Sequence, residues 1–505
     1  MRFNFTTKRK NETSNYEGAK VYALTSQAEL YTTVVTSSLN DKFYEKTTDR
    51  INRLRELIGK NDPEFVAKLA IYTREKMHLR SVPLVMAVEL AKAQSGNAVV
   101  GKTVTRVVLR ADEIMELLAY YQLANERNET KKLNKLSKQL QKGLSNAFNK
   151  FDEYQFAKYD RQTEVKLKDA LFLVHPKAKD ESQQALFNKI AEGSLNIPYT
   201  WETELSALGQ QKFENDGARK VAVKAKWEEL IASGKVGYMA LMRNLRNILD
   251  ANVDYASIQQ VCAQLTDAKA IAKSKQLPFR FLAAYRELKN VKSGFTSMVM
   301  TALETAVMEA ASNINGFNEN TKVWIACDVS GSMQKAISAK SSILNYDIGL
   351  MLAMLLKARC KYVVTGMFGD TWKVINMPDK NILANVDEFY RREGEVGYST
   401  NGYLVIKDLL RSKIAVDKVM LFTDCQLWNS NGSSETISGL WKQYKQIAPN
   451  AKLYLFDLAG YGNTPLNTMN GDVYLIAGWS DKIFDVLAAV ENGSNAVAEI
   501  EKVVL

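Results

Sequence analysis

The residues best suited to chemistry begin in a short polar loop that follows an apolar segment. Asp328, Ser330 and Ser332 alternate along this loop, so that a carboxylate and two hydroxyl groups occupy every second position. Thr400 and Asp424 add a further hydroxyl and a further carboxylate, and Asp424 again lies at the end of a segment that is mostly apolar, Val419 to Thr423. Carboxylate, hydroxyl and water oxygens are ligands that suit Mg²⁺. We therefore predict that these five residues hold one divalent cation, with Mg²⁺ as the expected ion.

The same motif is compatible with two roles that involve no cation. Serines often cap the helix that follows them, so Ser330 and Ser332 could serve only as caps. The motif could also be a vestigial site that holds no ion. A context of buried strands ending at Asp328 and Asp424 favours the metal interpretation.

A second group of residues is suited to contacts with phosphate. On a continuous helix, four lysines would lie on one face while four leucines occupy the opposite face; the lysines are Lys131, Lys135, Lys138 and Lys142, and the leucines are Leu133, Leu136, Leu140 and Leu144. Lysines spaced one turn apart can follow an RNA backbone without reading its bases. An ordinary solvated helix face has the same pattern.

The distribution of charge supports a polyanionic partner. Residues 1–320 contain 48 Lys and Arg against 37 Asp and Glu, a net charge of +11, whereas residues 321–505 contain 19 of each. The whole positive excess therefore belongs to the first part of the chain. Such a basic region is typical of proteins that bind nucleic acid, because contact with phosphates releases counterions. A basic surface without a partner is the alternative.

The elements that must position these residues change in character along the chain. From about residue 62 to 312 the apolar residues recur three and four positions apart, as in Phe65, Leu69 and Tyr72, which predicts successive helices stacked as a solenoid. After Gly316, continuous apolar segments alternate with helix-length segments. They are Val323 to Cys327, Tyr362 to Phe368, Val419 to Phe422, Leu453 to Leu458 and Val473 to Ile476. Such segments predict a parallel, doubly wound α/β sheet. We expect two domains, residues 1–320 and 321–505.

Composition restricts the class of protein. A chain of 505 residues with 46% hydrophobic residues can bury large cores. The longest apolar run, from Ile348 to Leu356, is too short to span a bilayer, and the first ten residues do not form a secretory signal, so we expect a cytoplasmic protein. The four cysteines are widely spaced and only two histidines are present, which argues against a zinc framework. We expect reduced and mostly buried thiols.

The second domain resembles the von Willebrand A modules and their metal-ion-dependent adhesion site. The resemblance implies that Ser330, Ser332 and Thr400 bind the metal directly, while Asp328 and Asp424 balance its charge mainly through water. A coordination position would stay open for water or for an acidic group of a partner. The usual Gly-Gly-Thr-Asp context of the threonine reads Tyr398-Ser399-Thr400-Asn401 here, so that Ser399 could take the role of Thr400.

The first domain resembles the TROVE domain of the Ro ribonucleoproteins. The resemblance is carried by Glu29 to Ser37, Glu64 to Glu75, Leu79 to Pro83, Met242 to Ile248 and Pro278 to Arg286, together with Trp201-Glu202. It implies an α-solenoid ring of HEAT-like helical repeats, closed by the A module and monomeric. It also implies binding of small structured Y-type RNA and of the single-stranded 3′ ends of misfolded RNA. Transfer of RNA to a 3′-to-5′ exoribonuclease, polynucleotide phosphorylase, is implied as well.

One element of the Ro family that binds Y RNA has the form Lys-Asp, then Arg, then His-Pro. By this resemblance Lys168 and His175 are expected to contact RNA, and Phe172 stands where the family has the arginine. Lys166, close by in sequence, could replace part of the lost charge. His175 could instead be a buried, hydrogen-bonded ring that shapes the turn before Pro176.

Three classes of function follow. The first is RNA scaffolding or quality control without catalysis. The second is a protein-binding adaptor whose metal is completed by an acidic partner. The third, a metal-dependent hydrolase or nuclease, requires a general base and usually more carboxylate or histidine ligands than this motif offers. Because both histidines lie in the helical part, the sequence argues against that class.

Overall fold

The computed structural model describes residues 12–16, 18–36, 47–125, 136–160, 164–274, 276, 278–311, 317–337, 341–428, 435–468, 472–478 and 496–505. These form two compact units that interleave along the chain. A sheet unit comprises residues 1–54 and 262–497, and a helical unit comprises residues 55–261 and 498–505. The change from helices to strands falls at about residue 320, whereas the compact units divide the chain elsewhere.

The first half of the chain is dominated by helices. They are α1 (Ser26–Val35), α2 (Thr47–Lys60), α3 (Pro63–Glu75), α4 (Ser81–Ala93), α5 (Ala98–Val107), α6 (Asp112–Ala124), α7 (Lys138–Phe148), α8 (Glu153–Tyr159), α9 (Leu167–Val174), α10 (Glu181–Glu192), α11 (Trp201–Gly209), α12 (Asp216–Ala232), α13 (Tyr238–Asp250), α14 (Tyr255–Thr266), α15 (Ala268–Ser274), α16 (Pro278–Leu288) and α17 (Thr296–Ala311).

Local sequence determines where these helices begin and how they pack. Asp62 caps α3, since its carboxylate accepts hydrogen bonds from the backbone N–H groups of Glu64 and Phe65, and Pro63 occupies the first turn. Phe65 and Leu69 are buried, as the helical spacing predicts. Helices α5 and α7 cross closely at Gly143, where a Cβ atom would lie 2.6 Å from the Cβ atom of Val104. A side chain at this position would push the two helices apart.

The second half of the chain alternates strands and helices. The strands, including two near the start of the chain, are β1 (Glu12–Ser14), β2 (Lys20–Ala23), β3 (Lys322–Asp328), β4 (Tyr362–Phe368), β5 (Trp372–Val374), β6 (Lys418–Thr423), β7 (Lys452–Asp457), β8 (Asn463–Thr464) and β9 (Val473–Ala477). The helices are α18 (Asn345–Arg359), α19 (Ile382–Arg391), α20 (Tyr403–Ser412), α21 (Ile437–Ile447) and α22 (Ala496–Glu501), with 3₁₀ helices at Gly331–Gln334 and Glu393–Glu395.

Six of the described strands form one twisted sheet in the order β5-β4-β3-β6-β7-β9. All neighbouring pairs are parallel except β4 and β5, which are antiparallel. β3 and β6 are almost wholly buried, so that helices cover both faces, as expected for a doubly wound sheet. All five strands predicted from continuous apolar segments are confirmed; the bounds of β4 are identical to the prediction, and those of the other four differ by one residue at most.

A smaller antiparallel sheet, in the order β1-β2-β8, joins the start of the chain to the sheet unit. Asn15, next to β1, donates a hydrogen bond from Nδ2 to the carbonyl oxygen of Leu427, and the backbone N–H of Tyr16 donates to Oε1 of Gln426. The early strands therefore support the loop that follows β6. Within the described residues, no helix is both long and apolar enough to span a membrane.

Candidate functional site

The carboxyl ends of β3 and β6 bring the predicted metal-binding residues of these two strands together. Asp328 ends β3, and its side chain is fully buried. Its Oδ1 accepts a hydrogen bond from the backbone N–H of Ser330 at 2.9 Å, and its Oδ2 accepts one from the hydroxyl of Thr423 at 2.7 Å. These two bonds fix the carboxylate at the edge of the sheet, as the rule for ligand sites in parallel sheets predicts.

The two serines of the motif face each other. The Oγ atoms of Ser330 and Ser332 lie 3.3 Å apart, and both residues are buried. Ser330 precedes the 3₁₀ helix Gly331–Gln334, but its side chain makes no capping hydrogen bond, and α18 begins only at Asn345. The capping role is therefore wrong for Ser330. Two hydroxyl oxygens directed at each other beside a carboxylate form a set of hard ligands.

Asp424 supplies the second carboxylate. Its Oδ1 accepts a hydrogen bond from the backbone N–H of Gln426 at 3.0 Å, whereas its Oδ2 is buried and has no hydrogen-bond partner. A buried carboxylate oxygen left without a partner costs free energy unless another group, such as a cation, compensates it. The next residue, Cys425, has a positive φ of 63°, which is a strained conformation for a residue other than glycine. The backbone thus holds Asp424 at some energetic cost.

Burial raises the pKa of Asp424, and the neighbouring charge of Asp328 raises it further. Burial likewise raises the pKa of Asp328, while its hydrogen bonds from Ser330 and Thr423 oppose that shift. Both carboxyl groups therefore resist ionisation in the absence of a positive charge. A divalent cation between them would reverse this effect, so the donor set fits the predicted ion.

Thr400 lies in the loop before α20 and is buried. Its Oγ1 and its carbonyl oxygen both accept from the backbone N–H of Trp428, at 3.2 and 3.0 Å, four residues after Asp424. Ser399 is engaged elsewhere, because Asp370 accepts hydrogen bonds from its backbone N–H and from its side chain. These contacts favour Thr400 over Ser399 as the third hydroxyl ligand.

Sequence reasoning missed two residues beside this site. Asp457 ends β7, is fully buried, and holds the following turn by accepting from the backbone N–H groups of Ala459 and Gly460. Gln426 is buried and donates from Nε2 to Oδ1 of Asn463. The strand-end rule that located Asp328 and Asp424 could also have found Asp457. Within the described residues, no group of three or more His, Cys, Asp or Glu side chains could hold a metal, so a cation at this site would need the hydroxyl groups as ligands.

The predicted RNA-binding residues that the structure describes lie on two adjoining helices. Lys138 and Lys142 are exposed on α7, and Lys166 and Lys168 are exposed just before and within α9. The two helices are joined because Nε2 of Gln141 donates to the carbonyl oxygen of Val174 at 3.1 Å. Lys131 and Lys135 lie outside the described residues.

The prediction that one helix carries all four lysines is wrong. Ser137 has extended backbone angles and its hydroxyl accepts from the backbone N–H of Leu140, so α7 begins at Lys138. The apolar spacing extends to residues before Ser137, but serine is a preferred N-cap residue, and the helix therefore starts after it. The alternative of a buried His175 is also wrong, because His175 is exposed and ends α9 in the left-handed conformation, with φ at 46°.

Comparison with known proteins identifies the family. A family model described as "TROVE domain" matches residues 17–195 and 193–335, well over half of the chain. The chain belongs to the TROVE domain family. Among curated proteins, "Telomerase protein component 1" of Rattus norvegicus is 23% identical over 347 residues, which is 53% of this chain and 13% of the relative. The protein of the same name from Mus musculus is 23% identical over 314 residues, or 47% of this chain and 11% of the relative.

The chain thus spans only about an eighth of the length of these curated TROVE relatives. Among solved structures, the Ro (RSR) protein of Deinococcus radiodurans matches with a TM-score of 0.60 and 19% identity, covering 93% of this chain and 100% of that chain. This likeness confirms the predicted fold class, which combines helical repeats with a doubly wound domain of the von Willebrand A type. TROVE proteins of the Ro type are RNA-binding ribonucleoproteins, and the resemblance inferred from the sequence is confirmed.

All four cysteines are unpaired thiols. Cys327, Cys360 and Cys425 are buried, and Cys262 is half-buried. Burial raises the pKa of each thiol, which disfavours the reactive thiolate. The expectation of mostly buried thiols is therefore confirmed.

Proposed function

We propose that this protein binds small structured RNA of the Y type and the single-stranded 3′ ends of misfolded RNA, and acts as a scaffold in RNA quality control or decay. It would not catalyse a reaction itself. A 3′-to-5′ exoribonuclease such as polynucleotide phosphorylase would act on the RNA it presents. Membership of the TROVE family supports RNA as the ligand, and the exposed basic residues of α7 and α9 support the location.

The observation that carries this proposal is the joined pair α7 and α9. α7 has the sequence KQLQKGLSNAF and contains no acidic residue, while its buried face is formed by Leu140, Leu144 and Phe148. The backbone that carries its exposed lysines is therefore fixed by a packed apolar face before RNA binds. Lys166 and Lys168 extend the basic surface onto α9. Such side chains contact phosphates and give affinity without reading sequence.

The test is the salt dependence of RNA binding. We expect the affinity for a hairpin RNA with a single-stranded 3′ tail to fall steeply with salt, because each neutralised phosphate adds about 0.7 to 0.9 to the log–log slope. Replacing Lys138 and Lys142 by Ala should weaken binding to all sequences alike and reduce the slope by about one per lost contact. Fluorescence anisotropy over a series of KCl concentrations measures both quantities.

Lys442→Ala provides the matched control for the single substitution Lys138→Ala, which removes the same charge, since Lys442 is an exposed lysine on α21 in the sheet unit. This variant should keep the affinity and the slope of the wild-type protein. Affinity that does not change between low and moderate salt would rule out binding through phosphates. An equal loss in the control variant would show that net charge alone, rather than the α7 and α9 surface, is responsible.

A second function is favoured by the buried Oδ2 of Asp424. We propose that Ser330, Ser332 and Thr400 bind one divalent cation, expected to be Mg²⁺, with Asp328 and Asp424 balancing its charge. When bound, the cation would offer a coordination position to an acidic group of a partner protein, so that the sheet unit would act as an adaptor. Calorimetric titration with MgCl₂ tests the cation directly. The two functions are compatible because they use different units of the chain.

A further inference from the structure

Phe172 is a large apolar side chain on the surface of α9. It is 51% exposed, whereas Leu167, Ala170, Leu171 and Val174 of the same helix are buried and Leu173 is half-buried. Helical spacing accounts for the difference, since Phe172 lies on the face opposite this buried stripe. Packing of the hydrophobic core therefore does not explain why residue 172 is a phenylalanine. A single exposed apolar residue is common in proteins, so its surroundings must decide whether it has a role.

The surroundings of Phe172 are basic. Lys168 lies one turn earlier on the same face, at a Cβ separation of about 6 Å for residues four apart, and His175 follows at the end of the helix. Both side chains are exposed, as are Lys166 and Lys177 on either side of α9. Asp169 is the one acidic residue within α9. An aromatic ring between cationic side chains is the combination that proteins use to bind single-stranded nucleic acid.

The helix that carries Phe172 is also held in place before any ligand binds. Nε2 of Gln141 donates to the carbonyl oxygen of Val174, and Nδ2 of Asn149 donates to the carbonyl oxygen of Lys177 at 2.8 Å. Oδ1 of Asn149 accepts from the backbone N–H of Lys179 at 3.0 Å. Side chains of α7 and its C-cap thus hold both the end of α9 and the loop after it. A platform held in this way loses little conformational entropy on binding.

We propose that Phe172 is a stacking platform for one unpaired RNA base, while Lys168 and His175 contact the phosphates on either side of that nucleotide. This inference rests on the proposed RNA binding and specifies which part of the RNA meets this surface. Base faces are covered by their neighbours inside a duplex, so Phe172 selects unpaired nucleotides. A phenylalanine also adds affinity that salt does not screen, unlike a cationic side chain.

The test compares two RNAs with the full-length protein: a blunt hairpin, and the same hairpin with a single-stranded tail carrying 2-aminopurine. Phe172→Ala should weaken binding of the tailed RNA by about 5- to 100-fold, the range measured for stacking on one aromatic side chain. The affinity of the Phe172→Ala variant for the blunt hairpin should stay within about twofold of the wild-type value. Phe172→Trp should restore binding of the tailed RNA and quench the 2-aminopurine fluorescence, since the indole ring preserves the stacking surface.

A third variant separates stacking from charge. Phe172→Arg should increase the log–log salt slope by about one phosphate contact, whereas Phe172→Trp should leave the slope unchanged. Tyr255→Ala is the matched control, because Tyr255 is a similarly exposed aromatic residue on α14, 54% exposed. This control should bind both RNAs as the wild-type protein does.

The outcomes distinguish this inference from the function on which it rests. If the wild-type protein binds neither RNA, the proposed function itself fails. If the wild-type protein binds both RNAs but Phe172→Ala binds the tailed RNA equally well, RNA binding stands and the stacking role is overturned. An equal loss for the blunt and the tailed RNA would also overturn it, since that result indicates a role of Phe172 in folding or in the shape of the surface.

Discussion

The two carboxyl groups at the ends of β3 and β6 are both buried and both resist ionisation. Asp424 has a pKa raised by burial and by the charge of Asp328, and the pKa of Asp328 is raised by burial. A folded-state pKa above the unfolded value means that the metal-free protein binds protons more tightly than the unfolded chain does. The stability contributed by these groups therefore falls as the pH rises from about 4, the ordinary value for Asp, through the raised pKa values.

A cation requires both carboxylates in their ionised form, so its binding must displace protons from this site. We expect the affinity for Mg²⁺ to be greater at about pH 8 than at about pH 5.5, a range that lies above the ordinary pKa of aspartate. Calorimetry in two buffers with different ionisation enthalpies measures the protons released. An affinity that does not depend on pH, without proton release, would contradict a site built on these two residues.

Arg286 connects α16 to two helices of the α/β sheet. Its Nη1 and Nη2 donate to the carboxylate of Asp347 on α18 at 2.8 and 2.7 Å, and its Nε donates to Asp387 on α19 at 2.8 Å. Asp347 is fully buried, and the side chain of Arg286 is 19% exposed. Lys289 donates a further hydrogen bond to Asp387. α16 is thereby fixed to the unit that carries the candidate metal site, although it lies before the strands in sequence.

Replacing Arg286 by Ala should destabilise the sheet unit strongly, by roughly 3–5 kcal/mol, because it leaves the charge of Asp347 buried without its partner. Urea unfolding should show a lower midpoint, and hydrogen exchange should localise the loss of protection to α16, α18 and α19. Arg392→Ala is the control: Arg392 pairs with Glu395, but both side chains are about a third exposed. That variant should change stability by less than about 1 kcal/mol, and an equal effect of both variants would contradict this reasoning.

The elements that the sequence predicts well are those whose identity is fixed by local apolar pattern. β3, β4, β6, β7 and β9 are continuous apolar segments, and their ends locate Asp328 and Asp424 at one edge of the sheet. The short strands β1, β2 and β8 have no such pattern. β1 pairs with β2 close by in sequence, whereas β8 exists because Thr464 pairs with Tyr22 of β2, and a contact between residues so far apart in sequence leaves no local signal. The start of α7 was mispredicted because Ser137 caps it.

At the level of the entire chain, the two candidate sites belong to different compact units. The described lysines of α7 and α9 lie in the helical unit, whereas all five predicted metal-binding residues lie in the sheet unit. The net charge of +11 does not follow this division, because the sheet unit includes residues 1–54 and 262–320 of the basic first part of the chain. Each candidate site is therefore built from residues of one unit alone.

This separation predicts that the two binding functions are thermodynamically independent. Asp328→Ala should abolish binding of Mg²⁺, because it removes the carboxylate that fixes Ser330 through its backbone N–H. RNA affinity should stay within about twofold of the wild-type value, which corresponds to a coupling free energy near zero. Fluorescence anisotropy with a tailed hairpin RNA at constant ionic strength measures the affinity for RNA, and calorimetry measures the affinity for Mg²⁺.

Circular dichroism establishes whether the Asp328→Ala variant is folded. Asp328→Asn, which keeps the size of the side chain, serves as the matched control. A folded variant that loses both activities to the same extent would show that the cation supports the RNA-binding surface, and the two units would then have to be treated as one functional site.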